Sequence, residues 1–383
     1  MALVPLQQYE EPGPVELKLG KLVGKRWKIV AKLGEGGCGA VYMAEELRTR
    51  KKVALKAESN FVAGGSVLKL EAQILRRLKG RKHVAQLLHA GRKERYCYMV
   101  MTLLGDSVER VFRRCSKEFT VSTLTRIGIH VLFGLKQLHE VGYVHRDIKP
   151  ANLALGKTGK DTKIVHLLDF GLAREFIIVT NGKVEMRRER NNTLFRGTTR
   201  YCSINSHNKG EQGRPDDLWA MLYVLAEMRG RLPWHHVQDK KEINKSKQAT
   251  TDVRLLAKCP IQMLDIANHL RELGYYSRPD YLKIYRVFTN IMNTYSYKFT
   301  DPFDWELLEE RASSSKSKLA SMVSKIRTVE DNSCEKTLDI TDEKQLKKWN
   351  KPGSLDGTME DGTVEDEATP FRDEDFSKNE LGF

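Results

Sequence analysis

The stretch His145-Arg146-Asp147-Ile148-Lys149-Pro150-Ala151-Asn152 sets a carboxylate, an ammonium and a carboxamide close together in one short loop. That combination suits transfer of a phosphoryl group to a hydroxyl. Asp147 would accept the hydrogen bond of the acceptor hydroxyl and take its proton late in transfer, and Asn152 would offer its side-chain oxygen to Mg²⁺. Further on, after the apolar run IVHLL, comes Asp169-Phe170-Gly171. Asp169 would chelate Mg²⁺ bridging the phosphates of ATP. A loop Asp is more often a turn residue, but the extended match around Asp147 is not dismissed that way. Lys149 can reach a γ-phosphate. Thr198, in Gly197-Thr198-Thr199-Arg200-Tyr201, would hydrogen-bond Asp147 and Lys149 and shape the acceptor pocket.

Two further features upstream read as nucleotide contacts. Leu33 is followed by Gly34-Glu35-Gly36-Gly37-Cys38-Gly39-Ala40-Val41, between two strand-like runs. Glycines let backbone N–H groups close over phosphates. The same spacing opens a helix in dinucleotide folds, whereas here AVYMAEEL continues as a strand; a plain glycine-rich hairpin is the other reading. Val53-Ala54-Leu55-Lys56 follows. A Lys facing inward from an apolar strand needs a partner, and Glu71, in LKLEAQIL, can supply it. Lys56 would then hold the α- and β-phosphates; a surface salt bridge is the alternative.

The elements that must position these residues fall into two halves. KIVAKLG, AVYMAEEL, KVALKAE, QLLHAGR and RYCYMVM are short strand-like runs, interrupted by SVLKLEAQILRRLKG with helical spacing that ends at a Gly. From about Val108 to Leu308 helices dominate, VSTLTRIGIHVLFGLKQLHEVG and DDLWAMLYVLAEMRG most clearly. This predicts an α+β, bilobal architecture: an arm over 1–21, a strand-rich lobe over 22–104, a helical lobe over 105–308, and a mostly disordered tail over 309–383, acidic at its end. The net charge of +15 is uneven, because residues 350–383 carry three basic and ten acidic side chains. A basic body favours acidic ligands, ATP among them, and no nucleic-acid module signature is present. No segment has the apolar length of a membrane helix or of a secretory signal. Cys38, Cys97, Cys115, Cys202, Cys259 and Cys334 form no CxxC pair, which suits reduced thiols in the cytoplasm or nucleus.

The order GxGxxGxV, VALK, HRDxxxxN and DFG resembles that of the protein kinase fold. Ser203-Ile204-Asn205, where most kinases have Ala-Pro-Glu, resembles the casein kinase I superfamily. VALKAES, GYVHRDIKPAN, FRGTTRYCSINSH, GRPDDLWAMLYVLAE, LPW and Asp301-Pro302-Phe303-Asp304-Trp305-Glu306 are similar to the tau-tubulin kinases, over most of residues 22–308. The resemblance implies an ATP- and Mg²⁺-dependent serine/threonine-protein kinase, monomeric, acting on acidic or cytoskeletal proteins. Lys149 and Thr198 are typical of Ser/Thr rather than tyrosine kinases. It also implies an adenine pocket, with Val41 and Ala54 as roof, Ala154 as floor, Met101 as gatekeeper and backbone groups from Thr102 to Leu104 as hinge, and Asp217 as anchor of the catalytic loop. Cys38, Thr102 and Leu222 depart from common family choices. A basic pocket for phosphate or acidic side chains would comprise Arg190 and Arg196 with Lys245 or Lys247, Arg forks suiting such groups; a solvated loop is the alternative. The acidic tail would either lie in that groove as a restraint or be merely disordered. A pseudokinase scaffold is the rival function, although Lys56, Glu71, Asp147, Asn152 and Asp169, of which pseudokinases usually lack at least one, are all present.

Overall fold

The computed structural model describes residues 15–36, 39–61, 65–309 and 370–383. The first lobe is one antiparallel sheet. Strands β1 (Leu22–Val23), β2 (Trp27–Gly36), β3 (Gly39–Glu46), β4 (Lys52–Ser59), β5 (Leu87–Arg92) and β6 (Tyr96–Thr102) lie in the order β1-β2-β3-β4-β6-β5. Alternation along β4 makes the sheet two-sided. Val53, Leu55 and Ala57 join Trp27, Ile29, Tyr42 and Val100 in a core of their own, while Ala54 faces the main core of the molecule. Part of the arm belongs to this lobe. Leu17 is buried, its N–H donates to Tyr42 Oη at 3.0 Å, and that hydroxyl donates to Val15 O at 3.1 Å. The expected loose arm is therefore anchored from Val15 onward; residues 1–14 lie outside the described residues.

Helix α1 (Val67–Arg77) follows β4, and its start is doubly capped. Ser66 accepts from Lys69 N at 3.1 Å, and Glu58 accepts from Val67 N at 3.1 Å and Leu68 N at 3.3 Å. Both satisfy orphan amides, and the carboxylate complements the positive helix end. This clamp sets the rotation of α1 and so the direction of Glu71.

The second lobe is built on α3 (Val121–Glu140), whose side chains are buried almost all round, as suits a helix at the centre of a lobe. Before it comes α2 (Val108–Arg114). After it come the short strands β7 (Tyr143–Val144), β8 (Leu153–Leu155), β9 (Val165–Leu167) and β10 (Arg174–Glu175), then β11 (Ile177–Thr180) and β12 (Lys183–Met186). The helix-dominated reading of this half overlooks the β11–β12 hairpin. Its signal was present: Asn181-Gly182, at φ 53° and 77°, sits between β-branched runs. Next are α4 (Ile204–His207), α5 (Arg214–Arg229), α6 (Lys240–Ala249), α7 (Asp252–Leu255), α8 (Met263–Arg271) and α9 (Tyr281–Thr294).

The segment DPFDWE is a clamp on the start of α3. The fully buried Arg126 donates to Pro302 O at 3.0 Å and stacks 3.9 Å from the Phe303 ring. Asp304 accepts from Thr120 N at 2.7 Å and Thr120 Oγ1 at 2.9 Å.

The end of the chain departs from the expected disordered tail. Residues 370–383 pack on the helical lobe through a short helix, α10 (Asp373–Ser377), with Phe371 and Phe376 buried. They do not lie along the basic segment around Arg188, Arg190 and Arg196; their ion pairs go to Arg81 and Arg286. Residues 310–369, the rest of that tail, lie outside the described residues.

Candidate active site

Strand pairing brings together the residues expected to contact a nucleotide. Gly34 is opposite Val41, Val41 opposite Lys56, and Ala54 lies between Met43 and Met101. Pairing of β2 with β3 runs up to Gly36 opposite Gly39; Gly37 and Cys38 lie outside the described residues. Leu33, Gly34, Glu35 and Gly36 are exposed, and Glu35 is engaged by Lys32 at 2.7 Å. Gly39 is at φ +100°, and a Cβ there would stand 2.2 Å from Ala57 O, so only Gly fits. Ala154 is buried on β8, and Met101 is buried at the end of β6. The Thr102 N–H donates to Gln86 O at 3.0 Å, so this hinge amide is spent within the sheet. The Leu103 and Leu104 amides make no hydrogen bond among the described residues.

Lys56 is 6% exposed and its Nζ stands 2.7 Å from Glu71 Oε2 and 3.2 Å from Asp169 Oδ1. The surface-salt-bridge alternative therefore fails on burial. Burial pushes the Glu71 carboxyl up, against the pull of Lys56. Burial also pushes Asp169 up, but the charge and hydrogen bond of Lys56, with His145 and the Gly171 amide, outweigh it and hold that carboxyl below its ordinary value. Asp169 itself sits at φ 60°, ψ 77°, a left-handed conformation uncommon outside Gly and typical of functional turns.

The catalytic-loop residues converge as the sequence spacing suggests. Asp147 Oδ2 accepts from Lys149 Nζ at 2.7 Å, and Oδ1 accepts from Thr198 Oγ1 at 2.7 Å. Asn152 Nδ2 donates to Asp147 O at 2.9 Å, which commits its amide nitrogen and leaves its oxygen for another partner. An amide oxygen and a partly exposed carboxylate are hard ligands. Such a pair suits a divalent cation that keeps waters and takes its other ligands from phosphates. Asn152 and Asp169 would hold that metal, and it would neutralise charge on the transferring group.

A second layer holds the loop. Asp217, near the start of α5, accepts from His145 N at 2.7 Å, Arg146 N at 2.8 Å and His139 Nε2 at 2.9 Å. Burial pushes Asp217 up, but the hydrogen bond from His139, with the His145 amide, overcomes it and holds the carboxyl below its ordinary value. His139 Nδ1 lies 2.6 Å from Tyr281 Oη. With its imidazole kept neutral by burial, the chain runs Tyr281 to His139 to Asp217. Gly197 brings the activation segment against this loop: at φ +105°, a Cβ there would lie 2.4 Å from Arg146 O. Sequence reasoning missed His139 and Glu58, because a His on an apolar helix and a Glu on a strand carry no chemical signature.

The family is decided by comparison. Residues 27–297 match the protein kinase domain family. The chain belongs to the protein kinases. It is similar, at 49% identity over 77% of its length and 86% of the relative, to a Caenorhabditis elegans protein named as a serine/threonine-protein kinase. It is also 35% identical, over 75% of its own length and 58% of the relative, to a Dictyostelium discoideum protein so named. This kinase is therefore a bilobal α+β serine/threonine-protein kinase that uses ATP and a divalent metal.

The expected basic pocket of the kinase is not assembled as its four residues suggested. Lys247 is buried; its Nζ donates to Thr199 O at 2.8 Å and Cys202 O at 2.6 Å, and lies over the Tyr223 and Trp234 rings. Lys245 points the other way, exposed, to Glu242 at 3.0 Å. Two positions apart on a helix cannot share a face, so both could never line one pocket. Arg190 is committed, with Arg174, to the buried Glu211, at 2.5 Å and 3.1 Å. Of the four, Arg196 alone is exposed with no ion pair among the described residues.

Lys247 instead ties α6 to the activation segment, and its burial lowers its pKa to about 8. The unfolded chain holds that proton up to its ordinary value of 10.5. Between the two, unfolding takes up a proton, so this residue's contribution to stability rises with pH. Melting curves of the wild type and Lys247→Met should show the wild type gaining relative to the variant from pH 7.5 to pH 10. Parallel pH profiles would remove Lys247 as a buried titrating group.

Proposed function

We propose that this kinase transfers the γ-phosphoryl group of Mg-ATP to Ser and Thr hydroxyls in acidic or already phosphorylated segments of proteins, and that it is tau-tubulin-kinase-like within the casein kinase I superfamily. The observation that carries the chemistry is the double coordination of Asp147 by Lys149 and Thr198, with Lys56 set between Glu71 and Asp169. In this reading Lys56 holds the α- and β-phosphates, Asn152 and Asp169 hold Mg²⁺, and Asp147 orients the acceptor hydroxyl. Adenine sits between Val41, Ala54 and Ala154, beside Met101, with Leu104 at the hinge.

The substrate preference is supported by the arginines of the activation segment. Arg188 and Arg196 are exposed without an ion pair among the described residues. Arg146 lies near enough to Arg174 and Arg196 to feel their charge; burial first, then Arg174, lowers its pKa to about 10. A group of guanidinium forks whose neighbouring carboxylates, Glu211 and Asp217, are both buried favours anionic side chains nearby. The subfamily is supported by Ser203 and Asn205, both of which hydrogen-bond Asp216 and tie the activation segment to α5. We place the kinase in the cytoplasm or nucleus; the free thiols of Cys97, Cys115, Cys202 and Cys259 suit a reducing compartment.

Matched Ser peptides with acidic and neutral flanks test the preference. The acidic peptide should show kcat/KM at least about tenfold higher, equivalent to about 1.4 kcal/mol, with most of the gain lost in Arg188→Ala/Arg196→Ala. Equal rates on both peptides would sink it.

A further inference from the structure

The segment 370–383 occupies a long seat on the helical lobe, and the two ends of that seat do different things. At one end the contact is aromatic. Phe376 is fully buried and stacks on Tyr285 with centroids 4.1 Å apart; Phe371 lies 5.3 Å from both Phe133 and His83. Acidic side chains flank these anchors: Asp373 pairs with Arg286 at 2.7 Å, and Glu380 takes both guanidinium nitrogens of Arg81. Backbone bonds add register, from Arg278 to Lys378 O at 2.9 Å and from Glu380 N to Glu140 at 2.5 Å. The seat thus fits an acidic peptide with one short helix and two buried Phe anchors.

The other end reaches the catalytic machinery. Leu381 and Phe383 pack on Val144, Phe176 and Ile177. Val144 immediately precedes His145, and Phe176 N donates to Gly142 O at 2.9 Å. The buried Arg214 opens α5 and donates to Phe383 O at 3.3 Å, with its guanidinium 5.0 Å from the Phe176 ring. Three residues further along α5 stands Asp217, which holds the His145 and Arg146 amides.

We propose that residues 370–383 are an intramolecular docking peptide that holds the catalytic loop and the base of the activation segment in their working arrangement. The segment is a positioning element, the reverse of a restraint. It touches no reacting group and acts through Val144, Phe176 and Arg214. Because its contacts form one continuous seat, the peptide can be supplied in trans.

Two truncations test this, one ending at residue 369 and one at Lys378. The second keeps Phe371, Phe376 and the Asp373–Arg286 pair and removes the part on Val144, Phe176 and Arg214 together with the Glu380 bonds to Arg81 and Glu140, so it separates positioning from loss of the aromatic anchors. Transfer from labelled ATP to a degenerate Ser/Thr peptide mixture is independent of any acidic preference. Both truncated chains should show kcat at least about fivefold below the intact chain, with KM for ATP within about twofold. Synthetic peptide 370–383 should restore most of the loss in the chain ending at residue 369. In the chain ending at Lys378, amide exchange over Tyr143–Asp147 should accelerate while α9 is unchanged. Rates equal to or above the intact chain in either truncation, or unchanged exchange over Tyr143–Asp147, would overturn the proposal; a faster chain would make the segment a restraint.

Discussion

Asp147→Asn lowers kcat by about 10²- to 10⁴-fold, the range that a positioned proton acceptor contributes, and leaves the melting temperature close to that of the wild type. The substitution keeps size and shape. Lys149 Nζ can still donate to the remaining side-chain oxygen, and the Thr198 hydroxyl can turn to accept from the new amide. What is lost is an anion 2.7 Å from each of these groups, able to accept the bond of an acceptor hydroxyl and then its proton. Incorporation of label from γ-labelled ATP into a Ser peptide measures the effect, with calorimetry as the control for folding. Equal incorporation by wild type and variant would remove Asp147 from its assigned role.

Asp217→Ala removes both stability and activity. The wild-type carboxylate is buried and receives three donors, two of them backbone amides of the catalytic loop. Alanine leaves those donors without an acceptor where water has little access, and each such group costs about 1–3 kcal/mol. The urea midpoint should therefore fall by an amount equivalent to on the order of 3 kcal/mol or more. At temperatures where the variant is still folded, kcat should fall as well, because Arg146 is held at φ 67° by this anchor and by its bond to Leu172 O at 2.7 Å. Asp217→Asn, which retains one acceptor oxygen, should lie between the two. A wild-type midpoint together with wild-type kcat in Asp217→Ala would show that the loop is held by other contacts.

The two effects differ in kind, and the difference bears on what could be read in advance. Asp147, Lys149 and Asn152 lie within one short loop whose local geometry brings them together, so spacing alone was informative. Lys56 and Asp169 are separated by over a hundred positions, yet the kind of residue and the order of the motifs pointed to both. The strand and helix periods carried the lobes for the same reason: a two-residue or 3.6-residue repeat of apolar side chains is a local property. The seat of residues 370–383 escaped that logic. Its net acidic composition reads as solvated, and Phe371 and Phe376 gain value only against Tyr285, Phe133 and His83 from distant parts of the chain.

Lys245 and Lys247 show the same limit in a site residue. Both looked equally able to bind an anion, and the rotation of α6 turned one to solvent and the other beneath the activation segment. Arg190 likewise met Glu211, a residue with no mark in the sequence, and gave its fork to that carboxylate. By itself the sequence pointed to the kinase chemistry and to the groups expected to accept a proton, hold phosphate and bind a cation, because those expectations rest on residue types at short, ordered spacings. Only the tertiary structure decided which cations are free, which are spent inside the protein and what supports the catalytic loop. Burial and pairing are set by residues far apart in the chain, and the cost of an unpaired buried charge is paid or avoided only once the fold has brought them together.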